Sequence, residues 1–178
     1  ASSAASDVYK RQHLEAPETG CFARAEIICG ILKEAGLKPK IVQTKPQPGK
    51  LTGTVALRFA EQEKVQLQSA SWNFHVAAAA EVQGLDGKTE DLVFDPAMLN
   101  GPETIEKWAY NIKAGDRRLN ARDVDVFEGE AAKRVLAEDW KQSGYQDSEQ
   151  FFKAHNPRFP APNIMRFPSS WLRQVQRR

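Results

Sequence analysis

Asn73-Phe74-His75-Val76-Ala77-Ala78-Ala79-Ala80-Glu81-Val82, then Gly84-Leu85-Asp86-Gly87, then Thr89-Glu90-Asp91-Leu92-Val93-Phe94-Asp95, decides the fold of this chain. Two apolar stretches flank a polar, glycine-bounded break, which is the pattern of an antiparallel hairpin at the centre of a sheet. Strand side chains alternate faces, so His75 shares a face with Ala77 and Ala79 while Phe74 and Val76 point the other way. The turn length then sets the register. A two-residue turn at Asp86-Gly87 places Asp95 opposite Ala78, on the face away from His75. A three-residue loop, Leu85-Asp86-Gly87 with Gly87 left-handed, places Asp95 opposite Ala77. His75 and Asp95 are then diagonal neighbours within reach of each other. The three-residue loop is the expectation.

Working outward, Thr19 to Ala35 has the strongest helical period. Phe22, Ala25, Ile28, Cys29, Leu32 and Ala35 recur at steps of three and four, and Gly36 ends the run. Lys38 to Thr44 predicts a short strand. Leu51 to Phe59 and Val65 to Gln68 alternate across Glu61-Gln62-Glu63-Lys64 and predict a paired hairpin. Beyond Asp95, helices are expected over Glu103–Ile112, Ala131–Gln142, Ser148–Ala154 and Trp171–Arg178. Asp116-Arg117-Arg118 and Arg122-Asp123-Val124-Asp125 read as surface loop. The first dozen residues lack the apolar core of a secretion signal and read as a non-native or disordered leader. That leaves residues 13–178 as one catalytic domain.

Three residues stand in settings that suit cooperative chemistry. Cys21 opens the helix in Gly20-Cys21-Phe22-Ala23-Arg24-Ala25. Exposed amides at a helix start favour an anion, and can also donate to a developing oxyanion. His75 is mounted on a strand beside small alanines that leave room for its ring. Asp95 ends the partner strand and could fix the imidazole tautomer. A thiol, an imidazole and an orienting carboxylate compose a cysteine-nucleophile site. Each residue also has a bland reading. A free cysteine is commonly a small buried hydrophobe, a strand histidine a satisfied core residue, and Asp-Pro a turn or helix cap. Cys29, inside the helix, takes the first of these.

Composition narrows the field. The chain has 178 residues, 41% hydrophobic and 27% charged, with a net charge of +2, too small to argue for nucleic acid or a membrane surface. Its longest apolar run, Val76 to Ala80, is far short of the roughly 20 residues that span a bilayer. The two cysteines lie about 12 Å apart along one helix, too far to bridge. No Cys-x-x-Cys or His-x-x-x-His pair marks a metal site and no glycine-rich phosphate loop follows a strand, so neither metal nor cofactor is expected.

As a combination, Gly20-Cys21-Phe22-Ala23-Arg24-Ala25, Trp72-Asn73-Phe74-His75-Val76-Ala77 and Phe94-Asp95-Pro96-Ala97-Met98-Leu99 resemble the bacterial protein-glutaminases. The resemblance covers about Thr19 to Trp108. It implies an α+β fold with a papain- and transglutaminase-like core, a nucleophile helix packed on an antiparallel sheet, and here additional C-terminal helices. It implies a catalytic set of Cys21, His75 and Asp95, with Trp72, Gly20 and Phe74 shaping the substrate site. It implies hydrolysis of protein-bound glutamine to glutamate and ammonia through a thioester, on protein or peptide substrates, by a monomeric enzyme exported by a bacterium to the periplasm or medium. Two departures stand out. The Cys21–His75 interval is longer than the family suggests by about one hairpin, which the Thr54–Gln68 strands supply. The family is also rich in disulfides, and this chain is not. A cysteine peptidase, a transglutaminase-type acyl transferase, an effector acting on one partner protein, and a non-catalytic domain are the alternatives.

Overall fold

The computed structural model describes residues 20–58, 65–144, 150 and 169–176. It is an α+β structure. Helix α1 (Cys21–Glu34) is followed by β1 (Pro39–Thr44), β2 (Leu51–Arg58), β3 (Val65–Trp72), β4 (Val76–Gln83) and β5 (Thr89–Phe94). Then come β6 (Glu103–Thr104), α2 (Ile105–Tyr110), β7 (Ile112–Ala114), β8 (Arg117–Arg118), a 3₁₀ turn (Ala121–Asp123), β9 (Val124–Glu128), α3 (Gly129–Ser143) and α4 (Ser169–Gln176). The strands form a five-stranded sheet in the order β6-β5-β4-β1-β9 and a four-stranded sheet in the order β3-β2-β7-β8. Every pairing is antiparallel.

The central hairpin has the expected three-residue loop. Ala78 pairs with Phe94 and Gln83 with Thr89, the Gly84 amide donates to the Lys88 carbonyl at 2.8 Å, and Gly87 is left-handed at φ 78°. Continuing that register one step sets Asp95 across from Ala77. Val76 through Ala80 are all buried, as expected of a strand covered on both faces. Four alanines in succession keep that layer thin. The α1 stripe of Phe22, Ala25, Ile28 and Leu32 can then close on it, with Ile28 and Leu32 in the same core as Trp72, Leu92, Val93, Phe94 and Trp108. Lys40 on β1 lies among carboxylates of three other strands, 2.8 Å from Asp91, 3.7 Å from Glu128 and 4.0 Å from Glu81.

Several elements differ from expectation. The β4 strand begins at Val76, not Asn73, because Asn73 to His75 form the link from β3. There the Thr44 amide donates to the His75 carbonyl at 2.9 Å and the His75 amide to Thr44 Oγ1 at 2.9 Å. The β2–β3 ribbon is longer than read and carries Trp72 at its end, opposite Leu51. The expected helix Glu103–Ile112 is shorter: β6 precedes it, Thr104 Oγ1 caps it by accepting from the Lys107 amide, and Ile112 starts β7. The charged stretches read as loop are the β7–β8 hairpin, a 3₁₀ turn with an Asn120 capping box, and β9, an edge strand paired to β1. Arg117 makes a two-pronged pair with Asp123 at 2.8 and 3.1 Å that pins this region. The leader and the expected helix over 148–154 lie outside the described residues, apart from residue 150.

Helix α3 packs on α1 through Trp140, edge-on to Phe22 at 4.6 Å, with the indole N–H donating to Glu26 at 3.2 Å. The neighbouring Asp139 is 7% exposed, its Oδ2 has no partner, and its pKa is raised to about 6, by burial first and then by Glu138. A carboxylate whose folded pKa exceeds its unfolded value costs stability at neutral pH, and the cost is relieved as pH falls through that folded value. Asp139→Asn should therefore gain on the order of 1–2 kcal/mol at about pH 8, a rise of roughly 2–8 °C in the melting midpoint. The gain should shrink as pH falls through about 6 and vanish below about pH 3, where both states of the parent are protonated. Equal midpoints of parent and variant at the higher pH would contradict this account.

Candidate active site

Three chain segments distant in sequence meet at the imidazole of His75. Its Nε2 lies 2.8 Å from Oδ2 of Asp95, and both side chains are nearly sealed from solvent, at 1% and 5% exposed. The same Oδ2 accepts the indole N–H of Trp108 at 2.9 Å, and Oδ1 accepts the Ala97 amide at 3.2 Å. The Asp95 carbonyl takes the Leu99 amide at 2.8 Å and the Met98 amide at 3.1 Å, closing the turn that Pro96 starts. Asp95 is thus both turn residue and imidazole partner, Oδ1 taking the turn amide and Oδ2 the two ring N–H groups.

Two indoles pack against the imidazole. Trp72 lies 4.7 Å away centroid to centroid, tilted by 34°, and Trp108 lies 5.6 Å away, stacked at 26°. Both tryptophans are fully buried. With the Thr44 clamp on its backbone, the ring is fixed along three directions. The other ring nitrogen, Nδ1, is buried and has no hydrogen-bond partner. The Cys21 side chain lies close enough to act on the ring by hydrogen bonding and by charge.

Electrostatics follow from this packing. Burial alone lowers the His75 pKa, but the charge and hydrogen bond of Asp95, followed by Cys21, outweigh it and raise the value to about 9. Burial alone raises the Asp95 pKa; the His75 charge and hydrogen bond, then Trp108, then the Arg24 charge, turn the net shift downward. A histidine whose folded pKa lies above its unfolded 6.5 adds stability that is whole below pH 6.5 and is lost as pH rises through about 9. Chemical denaturation at stepped pH should show that loss across this window, and ring NMR should show His75 protonated well above neutrality. A ring that titrates near 6.5 would refute the pairing.

Cys21 opens α1 with Gly20 as its N-terminal cap, and no side chain caps the helix. The first-turn amides have no acceptor within the helix, which is the property that suits a thiolate or an oxyanion. Gly20 is buried, Cys21 is 1% exposed, and Phe74 is half-buried against the cluster of Cys21, Phe22 and Val76. Cys29 differs from Cys21: burial, then the Glu26 charge, pushes its thiol up to about 12, and it donates weakly to the Lys40 carbonyl at 3.8 Å. The described residues include no cluster of His, Cys, Asp and Glu that could hold a metal ion, and no helix long and apolar enough to cross a membrane. A cavity of about 450 Å³ lined by Met98, Leu99, Glu103, Glu106, Tyr110 and their neighbours contains none of the trio.

All six residues expected at the site are therefore placed: Cys21, His75 and Asp95 converge, Trp72 packs at a tilt against the imidazole, Gly20 caps the thiol's helix, and Phe74 packs near the thiol. Sequence reasoning missed Trp108 and Thr44. A signal for Trp108 existed: a buried indole N–H needs an acceptor, and a buried carboxylate has lone pairs to spare. Thr44 carries no such signal, since its partner is the His75 backbone in the link between β3 and β4.

The glutaminase family model matches residues 2–112, more than half of the chain. Among solved structures, the chain is similar to the NMR structure of protein-glutaminase from Chryseobacterium proteolyticum, at 20% identity and a TM-score of 0.44, covering 65% of this chain and 56% of that one. It is also similar to a crystal structure of protein-glutaminase, at 17% identity and a TM-score of 0.44 over 69% of each chain. A crystal structure of pro-protein-glutaminase matches at 20% identity and a TM-score of 0.43, over 61% of this chain and 35% of that one. The chain thus spans little more than half of the first of these and about a third of the last. No curated protein matches the sequence at significance. By the family model that covers its helix α1, its central hairpin and helix α2, the chain belongs to the glutaminase family.

Proposed function

We propose that this chain is a protein-glutamine deamidase in which Cys21 is the nucleophile, His75 the proton carrier and Asp95 the residue that orients it. The observation that carries this reading is the fully buried His75–Asp95 pair at 2.8 Å, with the Cys21 side chain acting on the same ring. The Cys21 sulfur adds to the side-chain amide carbon of a protein-bound glutamine, and the carbonyl π electrons move onto oxygen. That oxyanion collapses, the C–N bond breaks, and the departing nitrogen takes its proton from the His75 imidazolium as ammonia leaves. The neutral imidazole then draws a proton from water, which attacks the thioester and releases glutamate and the thiol. Phe74 and Gly20 border the sulfur, and Trp72 walls the imidazole. With so little of the sulfur exposed, a glutamine side chain reaches it only when the groups above the thiol move. Protein substrates, a bacterial source, export and a monomeric state are proposed from the resemblance of the sequence motifs around Cys21, His75 and Asp95.

The test is incubation with a glutamine-rich protein. Ammonia release with a gain of about 1 Da per modified glutamine is the expected result; chain cleavage would mean a peptidase and crosslinks an acyl transferase. Absence of all three would end the enzymatic reading.

A further inference from the structure

Two buried polar atoms on neighbouring rings of this site lack a partner, His75 Nδ1 and Trp72 Nε1. The first has an explanation in the chemistry, since the Cys21 side chain acts on that ring. The second has none so far. An indole N–H sealed from water with no acceptor forfeits the hydrogen bond that it makes in solvent. Trp108, packed against the same imidazole, shows the ordinary solution, an acceptor at 2.9 Å. Trp72 is held firmly in place without one. Its Cζ3 corner lies over Gly53, where an added Cβ would come within 3.0 Å of Cζ3, and the Asn111 carbonyl and Met98 Cε crowd the same spot at 3.1 Å. Nε1 is the corner of the indole diagonally opposite Cζ3. The unused donor is therefore carried away from the Gly53 packing, on a ring whose centroid is 4.7 Å from that of His75.

We infer that the Trp72 indole N–H is a catalytic hydrogen-bond donor that takes the carbonyl oxygen of the group attacked by Cys21. As the S–C bond forms and the carbonyl π pair moves onto oxygen, that oxygen accepts from Nε1–H together with an amide at the start of α1. As the tetrahedral species collapses, the pair returns to reform C=O and the leaving group departs with its bonding electrons, protonated by His75. A neutral donor fixed before the reaction stabilises charge that exists only in the transition state, where such groups act most strongly. The inference rests on Cys21 being an acyl-accepting thiol and refines the deamidase reading of the same site.

The experiment compares two reactions of one sulfur. Acylation by p-nitrophenyl acetate passes through an oxyanion; alkylation by iodoacetamide displaces iodide and does not. Trp72→Phe removes the N–H, and 3-benzothienylalanine at position 72 removes it while keeping the indole's shape, which covers the case in which phenylalanine disturbs folding. Both variants should slow acylation and ammonia release by about 10²–10³-fold while alkylation changes by less than about threefold. Parallel falls in acylation and alkylation would assign Trp72 a packing role only. Acylation unchanged in the benzothienyl variant would leave Nε1 a donor to buried water and overturn the inference. If the parent is acylated by the ester but releases no ammonia from glutamine, the deamidase reading fails and the ester comparison still decides the role of Trp72. A parent thiol that the ester does not acylate overturns both.

Discussion

Cys21→Ala is expected to lower ammonia release by about 10⁴-fold or more while the chain stays folded. The size of the effect follows from the absence of a substitute. Cys29, the other thiol, has its pKa pushed up to about 12 by burial and the Glu26 charge, so it stays protonated, and it interacts with the Lys40 carbonyl instead of His75. The stability cost is expected to be small, about 1 kcal/mol, because alanine deletes one atom at a helix start without breaking a strong hydrogen bond. Cys21→Ser should be nearly as inactive, since a hydroxyl at this position gains too little from a helix start and an imidazolium to ionise. Ammonia release and thermal melting on the same preparations separate loss of chemistry from loss of fold. A variant that melts like the parent and retains more than about one hundredth of its rate would remove Cys21 from the role of nucleophile.

The parts of this fold that local pattern controls were legible. The β4–β5 hairpin could be read to the residue because its loop length has only two good solutions, and only one sets His75 and Asp95 on a common face. The structure has that loop, with Gly87 left-handed at φ 78°. Helix α1 was legible because its apolar stripe runs for four turns. What escaped was whatever depends on partners far along the chain. Strand β9 reads as loop because Asp125 and Glu128 are charged and Arg122-Asp123 leads into it; it is a strand only because β1 offers it an edge. His75 itself reads as the third residue of a strand, yet it sits in the link before β4, held by Thr44 from β1. The site shows the same division. Cys21, His75 and Asp95 could be named because each carries its chemistry in its side chain and a local setting that suits it. Trp108 could not, because its contribution is a hydrogen bond across the core to a carboxylate whose position the sequence does not specify.

Asp95→Asn should lower the deamidation rate by about 10²–10⁴-fold and also weaken the fold. The carboxylate accepts three hydrogen bonds, from His75 and Trp108 on Oδ2 and from the Ala97 amide on Oδ1. An asparagine has one oxygen for these three donors, so its NH₂ group must face at least one N–H. Removing the negative charge also leaves a buried imidazolium unpaired, a loss of about 3–5 kcal/mol if the ring stayed charged. The ring will instead give up its proton. Its pKa should fall from about 9 to below the ordinary 6.5, because burial, the largest single influence on it, then acts almost unopposed. The sign of the pH effect makes this distinguishable from simple damage. The parent loses His75-linked stability as pH rises from 6.5 through 9, and the variant should show no such fall across that window. Trp108→Phe is the informative comparison, since it deletes one hydrogen bond to Asp95 and keeps the charge. It should cost only about tenfold in rate, with the His75 titration still high. If Asp95→Asn leaves the His75 titration where it was, the carboxylate is a turn residue alone, and the proton carrier at this site is oriented by something else.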